Sequence, residues 1–317
     1  MKPYISLFIL LAFALLNSCI GEDSEYCPEI DDNSNLRLEF RYTDENGLDI
    51  FTDKVRYTDV FIFDSGDRLV KRITLDENAL SLFAGTELRL EPGTYRIVCW
   101  ANATANTLYE GASPGNNLFS DAFLSNSSLD KATNTASDSD PLYYAPAPSQ
   151  DSQPQPFYVT VPESGSQTAV IPFRSAHITI GVYVKGFTDT SAQGAALPPT
   201  IVLTDIPAHY NFNMQTYGTG ISYKKTAANT VIESQNMAYS EFYTPLFNEN
   251  TPILLYIKKQ SDGSTVATVS LKDFIADNNI TVTGTDGLFI PIQIEFKSVS
   301  VEVTLPGWDS KPVSPEF

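Results

Sequence analysis

The chain has 317 residues, 12% of them aromatic and 18% charged, with a formal net charge of −18 at pH 7. Acidity on this scale excludes a nucleic-acid partner, whose phosphates require a basic surface, and it argues against the body lying on an anionic bilayer. It suits an exported, soluble body.

Lys2 is the sole charge ahead of Cys19, and it precedes an apolar run from Ile5 to Leu16. A membrane-spanning helix needs about 20 apolar residues, so this shorter run reads as a signal peptide over 1–18. Leu16-Asn17-Ser18-Cys19 follows. A branched apolar residue three before a cysteine, with a small residue just before it, resembles the bacterial lipobox. That motif implies a cut before Cys19 and lipid on its sulfur, and two or more acyl chains give stable anchoring.

Residues 19–34 then form an acidic tether. Within it, Glu22, Asp23 and Glu25 resemble the signal that sends lipoproteins of the Bacteroidota to the outside of the cell. A solvated spacer is the plainer reading of the same residues. Loss of Lys2 with the signal peptide takes the net charge from −18 to −19. The cysteines left after processing are Cys27 and Cys99. An exported chain meets oxidising conditions, so they could form a disulfide. Two unpaired thiols, one in the tether and one buried, is the other reading, and the sequence leaves both open.

Beyond the tether the hydrophobic period is two, the strand signal. Leu36 to Tyr42 alternates strictly. Val60-Phe61-Ile62-Phe63 is an apolar strand running into the turn Asp64-Ser65-Gly66-Asp67, with Leu69 to Ile73 as its partner. Pro92-Gly93 marks a turn into Thr94–Trp100, where Cys99 shares a face with Tyr95 and Ile97 while Trp100 lies opposite with Val98. From Ala101 to Pro156 the pattern dissolves into Asn, Ser, Thr, Ala and Pro. This reads as a long loop with a short helix within Asn117–Leu124. Strands resume at Phe157–Val161 and Ala169–Phe173.

A second set begins near Ala176, with Ile178, Ile180, Val182 and Val184 on one face and His177, Thr179 and Tyr183 on the other. Ile253–Ile257 and Thr265–Leu271 flank Asp262-Gly263 as a hairpin, and Lys272–Asp277 reads as a helical turn. Ile290–Phe296 and Val299–Leu305 close the set. These patterns predict an all-β chain of two tandem β-sandwiches, 35–174 and 175–309, joined near Arg174-Ser175, with a tail at 310–317.

Catalytic signatures are missing. His177 and His209 are the only histidines, and neither has a metal-ligand neighbour in sequence. Phosphate loops and Gly-x-Ser-x-Gly elbows are absent. Asp44-Glu45-Asn46-Gly47 and Asp138-Ser139-Asp140 complete no EF-hand pattern and read as turns. No catalytic residue, metal or cofactor is therefore assigned. An alternative is a surface glycan-binding lipoprotein. It would place sugar contacts at Tyr143 and Tyr144, or at the group Tyr239, Phe242, Tyr243 and Phe247.

Together these pieces resemble the FimB-type anchor lipoproteins of Bacteroidota fimbriae. The likeness rests on the lipobox ending in Cys19, Cys27-Pro28, Leu36–Tyr42 followed by Asn46-Gly47 and Phe51, and Val60–Asp64. It continues through Pro92-Gly93-Thr94-Tyr95, Cys99-Trp100-Ala101-Asn102, Asp140–Tyr144, Arg174, and Val301–Trp308. It covers nearly the whole chain beyond the signal peptide. The resemblance implies two transthyretin-like β-sandwich domains and an outer-membrane lipoprotein at the base of a fimbrium. That subunit would tie fimbrillin-type subunits to the membrane, help set fimbrial length and take part in β-strand exchange. In fimbrillins of this kind a cut after an arginine in the first strand activates the subunit. Here Arg37 and Arg41 lie inside the alternating strand, which is consistent with an anchor that stays whole.

Overall fold

The computed structural model describes residues 34–115, 117–147, 156–232 and 234–307. The strands of the first half are β1 (Leu36–Arg41), β2 (Thr58–Phe63), β3 (Leu69–Leu75), β4 (Gly85–Leu88), β5 (Gly93–Ala101), β6 (Thr107–Glu110), β7 (Phe123–Asn126), β8 (Thr135–Ala136), β9 (Tyr143–Ala145), β10 (Tyr158–Val161), β11 (Gln167–Pro172) and β12 (Arg174–Ser175). The second half adds β13 (His177–Lys185), β14 (Thr200–Ile206), β15 (His209–Asn211), β16 (Thr216–Tyr217), β17 (Ile221–Thr226), β18 (Ala228–Ile232), β19 (Gln235–Pro245), β20 (Leu254–Lys258), β21 (Thr265–Ser270), β22 (Phe289–Phe296) and β23 (Val301–Thr304). Three short helices interrupt them: α1 (Phe51–Lys54), α2 (Glu77–Leu82) and α3 (Leu271–Asp277). Side-chain caps start two of these. Asp76 accepts the Ala79 N–H at 2.9 Å, and Ser270 accepts that of Asp273 at 3.3 Å.

The strands form five sheets. Sheet A runs β11-β1-β4. Sheet B runs β12-β9-β5-β2-β3, with β10 also on β5. Sheet C runs β16-β15-β7-β6, sheet D β18-β19-β13-β22-β23, and sheet E β21-β20-β14-β17-β8. Sheet A packs on one face of sheet B around Leu36, Leu38, Phe40, Val60, Ile62, Ile97 and Cys99. Sheets D and E sandwich the largest core, built on Ile178, Ile180, Val182, Leu203, Leu255 and Ile292.

The centre of sheet B, β2 and the end of β5, is buried on both faces. Its second face carries Phe61, Phe63, Val98 and Trp100 into a third core shared with Leu124, Tyr210 and Phe212. This is why β2 and the end of β5 read as nearly unbroken apolar runs, and why Cys99 and Trp100 serve different cores, as their alternation predicts.

The third core changes the picture of two independent sandwiches. Sheet C takes β6 and β7 from the first half and β15 and β16 from the second. In addition, β8 runs parallel to β17, pairing Thr135 with Ser222 and Ala136 with Tyr223. The boundary at Arg174-Ser175 therefore divides the chain but not the packing. The stretch 101–156, expected as a loop, contributes four short strands, β6, β7, β8 and β9. These strands are two to four residues long, too short to show a period. Two of them, β7 and β8, also pair with β15 and β17 of the other half. The helix expected within Asn117–Leu124 is a single 3-10 turn at Phe119–Asp121.

Candidate interaction surfaces

Cys19, Glu22, Asp23, Glu25 and Cys27, the residues assigned to lipid, export and half of the possible disulfide, lie outside the described residues. Cys99 is fully buried and has no disulfide partner among the described residues. Burial, reinforced by nearby Asp59, pushes its pKa well up and keeps it protonated.

Tyr143 and Tyr144 are both buried, which corrects the assignment of sugar contacts to them. The Tyr144 ring packs edge-on against Trp100 at 4.9 Å, and its hydroxyl donates to the Phe212 carbonyl at 3.1 Å. Neither ring offers an open face to a ligand. Phe242 and Phe247 are likewise core residues. The half-buried Tyr239 and Tyr243 both donate hydroxyl hydrogen bonds to Glu241, at 2.8 and 2.7 Å.

Tyr143 instead belongs to a ladder of rings across the joint between the halves. Tyr42 and Tyr143 are 5.4 Å apart, Tyr143 and His177 5.3 Å, and His177 and Tyr243 5.4 Å. His177 is buried there, donating Nδ1–H to the Leu142 carbonyl at 2.9 Å. Burial lowers its pKa to about 4, so the ring stays neutral. Asp286 latches the same joint. Its Oδ1 accepts the Ser175 N–H at 2.7 Å and sits 4.0 Å from the Arg174 guanidinium, and its carboxylate also takes the Tyr42 hydroxyl. Sequence reading missed this residue. An aspartate between Thr285 and Gly287 looks like an ordinary turn, and nothing local announces partners in the other half.

The acid clusters considered for calcium have structural duties. Asp44 Oδ1 accepts the N–H groups of Asn46 and Leu48 within its own turn, and Asp138 is paired with Lys225. Among the described residues no group of His, Cys, Asp and Glu could hold a metal ion. Nor is any helix there long and apolar enough to cross a membrane.

Sheet edges are one kind of surface open to partners, and β1 is not one of them. It is the middle strand of sheet A, parallel to β11 and antiparallel to β4. Leu36, Leu38 and Phe40 are fully buried. Gly85 lets β4 close on it, since a Cβ there would lie 2.1 Å from the Leu38 carbonyl oxygen. Arg37 is paired with Glu39 and Glu87 and lies over the Phe83 ring, while Arg41 pairs with Asp49 at 2.8 Å. By contrast β23 sits at the edge of sheet D, bonded among the described residues to β22 alone. Val299, Val301 and Leu305 around it are 95%, 42% and 40% exposed.

A family model of the fimbrillin-A associated anchor proteins Mfa1 and Mfa2 matches residues 24–312. The chain belongs to this anchor family. Its fold is shared by the fimbrial anchor protein Mfa2 from Porphyromonas gingivalis, with a TM-score of 0.59 at 15% identity, over 86% of this chain and 97% of that one. A candidate adhesin from Bacteroides ovatus is similar with a TM-score of 0.64 at 14% identity, over 87% and 94%. One from Bacteroides thetaiotaomicron gives 0.60 at 12%, over 86% and 96%. No curated protein matches the chain. Membership in the anchor family accords with a body made of cores, latches and edges, and makes this a structural, surface-associated component of a fimbrium.

Proposed function

We propose that this chain is the base subunit of a fimbrium, held to the outer membrane by lipid on Cys19. It would engage fimbrillin-type subunits through an added β-strand and help set fimbrial length. The match of residues 24–312 to the anchor family carries the reading.

Two features of the body support its finer parts. First, β1 is bonded along both edges and its three inward side chains are fully buried. The slot that an arginine cut would open in a fimbrillin is filled here by the chain's own strand. Second, β23 is an edge strand among the described residues, with exposed valines at and beside its outer edge, a template for strand addition. On this reading the anchor keeps its first sandwich closed and presents β23.

Deleting the gene should release fimbriae into the medium or change their length. A chain ending at Lys297 should stay folded and membrane-bound yet hold fimbriae no better than the deletion. Fimbriae unchanged in attachment, length and number on deletion would overturn the anchor role. Full retention by the chain ending at Lys297 would overturn the part given to β23.

A further inference from the structure

Sheet C turns one face to the third core and the other to solvent. On the solvent face the strand register aligns Leu108, Ser125, His209 and Tyr217 in one row across all four strands. The next row holds Glu110, Phe123 and Asn211. The alternate residues Tyr109, Leu124 and Tyr210 point into the core.

Three rings on this face form one cluster drawn from both halves of the chain. His209 lies 5.7 Å from Phe123, edge-on, and 5.3 Å from Tyr217 in a tilted stack. Gly218 helps to place it. Its φ of +95° is left-handed, and a Cβ there would come within 2.9 Å of the His209 ring. The polar groups are fixed as well. Asn211 Oδ1 accepts the N–H groups of Asn213 and Gln215 at 3.0 Å, its Nδ2 donates to Gln215 Oε1 at 3.0 Å, and Ser125 donates to Glu110 at 3.2 Å. Leu108 and Tyr217, at the two ends of the row, are 49% and 44% exposed. Three inter-strand gaps of about 4.8 Å make the row about 14 Å long.

Charge and chemistry narrow the occupant. Glu110 is the one acidic side chain in the two rows, and neither row contains a lysine or arginine. With a net charge of −18 on the chain, an anionic ligand is repelled and finds no partner. An apolar peptide would strand the amide, hydroxyl and carboxylate groups without bonds. We propose that this face binds a neutral carbohydrate chain. Its C–H faces stack on Tyr217, His209 and Phe123, and its hydroxyls exchange hydrogen bonds with Glu110, Ser125, Asn211 and Gln215. The rings are already in place, so little ordering opposes binding. The site needs neither the lipid nor a sheet edge, so it stands or falls apart from the anchor role.

The test is retention of the purified full chain on immobilised mannan, laminarin and asialo-mucin, with heparin as the acidic control. Retention on at least one neutral surface and none on heparin is expected. Tyr217→Ala should weaken it by about tenfold or more, and Tyr217→Phe, which keeps the ring stacked on His209, should restore it and leave the melting temperature unchanged. Retention on none of the neutral surfaces, preference for heparin, or indifference to Tyr217→Ala would each overturn the proposal. So would a fimbrillin subunit whose binding depends on Tyr217 while no neutral glycan is held, which would make this face a protein interface.

Discussion

The claim that β1 stays in the mature anchor can be measured through Phe40→Ala. Phe40 is fully buried, with its ring 5.6 Å from Phe51 and 5.4 Å from Phe173. Truncating such a ring costs about 3–5 kcal/mol, from lost transfer energy and the cavity left behind. A protease can reach the bonds after Arg37 and Arg41 only when β1 leaves both neighbours. When reclosing outpaces cleavage, the cutting rate follows the population of that open form. At tenfold per 1.4 kcal/mol, the variant should lose its N-terminus about 10²- to 10³-fold faster. The assay is dilute trypsin on the native protein, with mass spectrometry following cuts at Arg37 and Arg41. Two results would refute the reasoning. One is a wild-type β1 cut as fast as an unfolded peptide. The other is an unchanged rate in Phe40→Ala.

Two further predictions concern the joint and the third core. His177 is neutral when folded, with a pKa lowered to about 4 by burial. The unfolded chain therefore binds a proton at this site more readily, and its stabilising contribution is complete above the unfolded value near 6.5 and lost as pH falls through 4. At about 1.4 kcal/mol per unit the loss is about 3 kcal/mol. Urea unfolding of wild type and His177→Gln at pH 7 and below pH 4 should show their stability difference shift by that amount, and a constant difference would contradict it. Phe212 is fully buried in the third core, within 4.8 Å of the Phe61 ring. Phe212→Ala should cost about 3–5 kcal/mol and lower a single calorimetric transition. Two separate transitions in the wild type would show that the halves unfold independently.

The elements legible in the sequence are those whose two faces meet different surroundings. In β1 and β22, buried and partly exposed side chains alternate just as their residues do. The Asp262-Gly263 hairpin was equally plain, with Gly263 at a φ of +73° between β20 and β21. The third core was not legible. Its strands β6, β7, β15 and β16 are two to four residues long, and β7 and β15 find each other only in the folded chain. The same distance hid the row from Leu108 to Tyr217. His209 read as a loop residue after Pro207-Ala208, and nothing near it in sequence points to Phe123. Tyr143 and Tyr144 misled for the opposite reason. Adjacent tyrosines in a polar stretch resemble an exposed patch, yet β9 lies inside sheet B and sends Tyr143 and Tyr144 into two different cores.

The anchor role reduces to whether lipid on Cys19 holds a folded body at the membrane. The most direct measurement is fractionation of cells that make the Cys19→Ala protein, with its fold checked by melting. The account predicts that the folded variant leaves the membrane fraction and the fimbriae go with it. Folded Cys19→Ala protein retained on the outer membrane would contradict it.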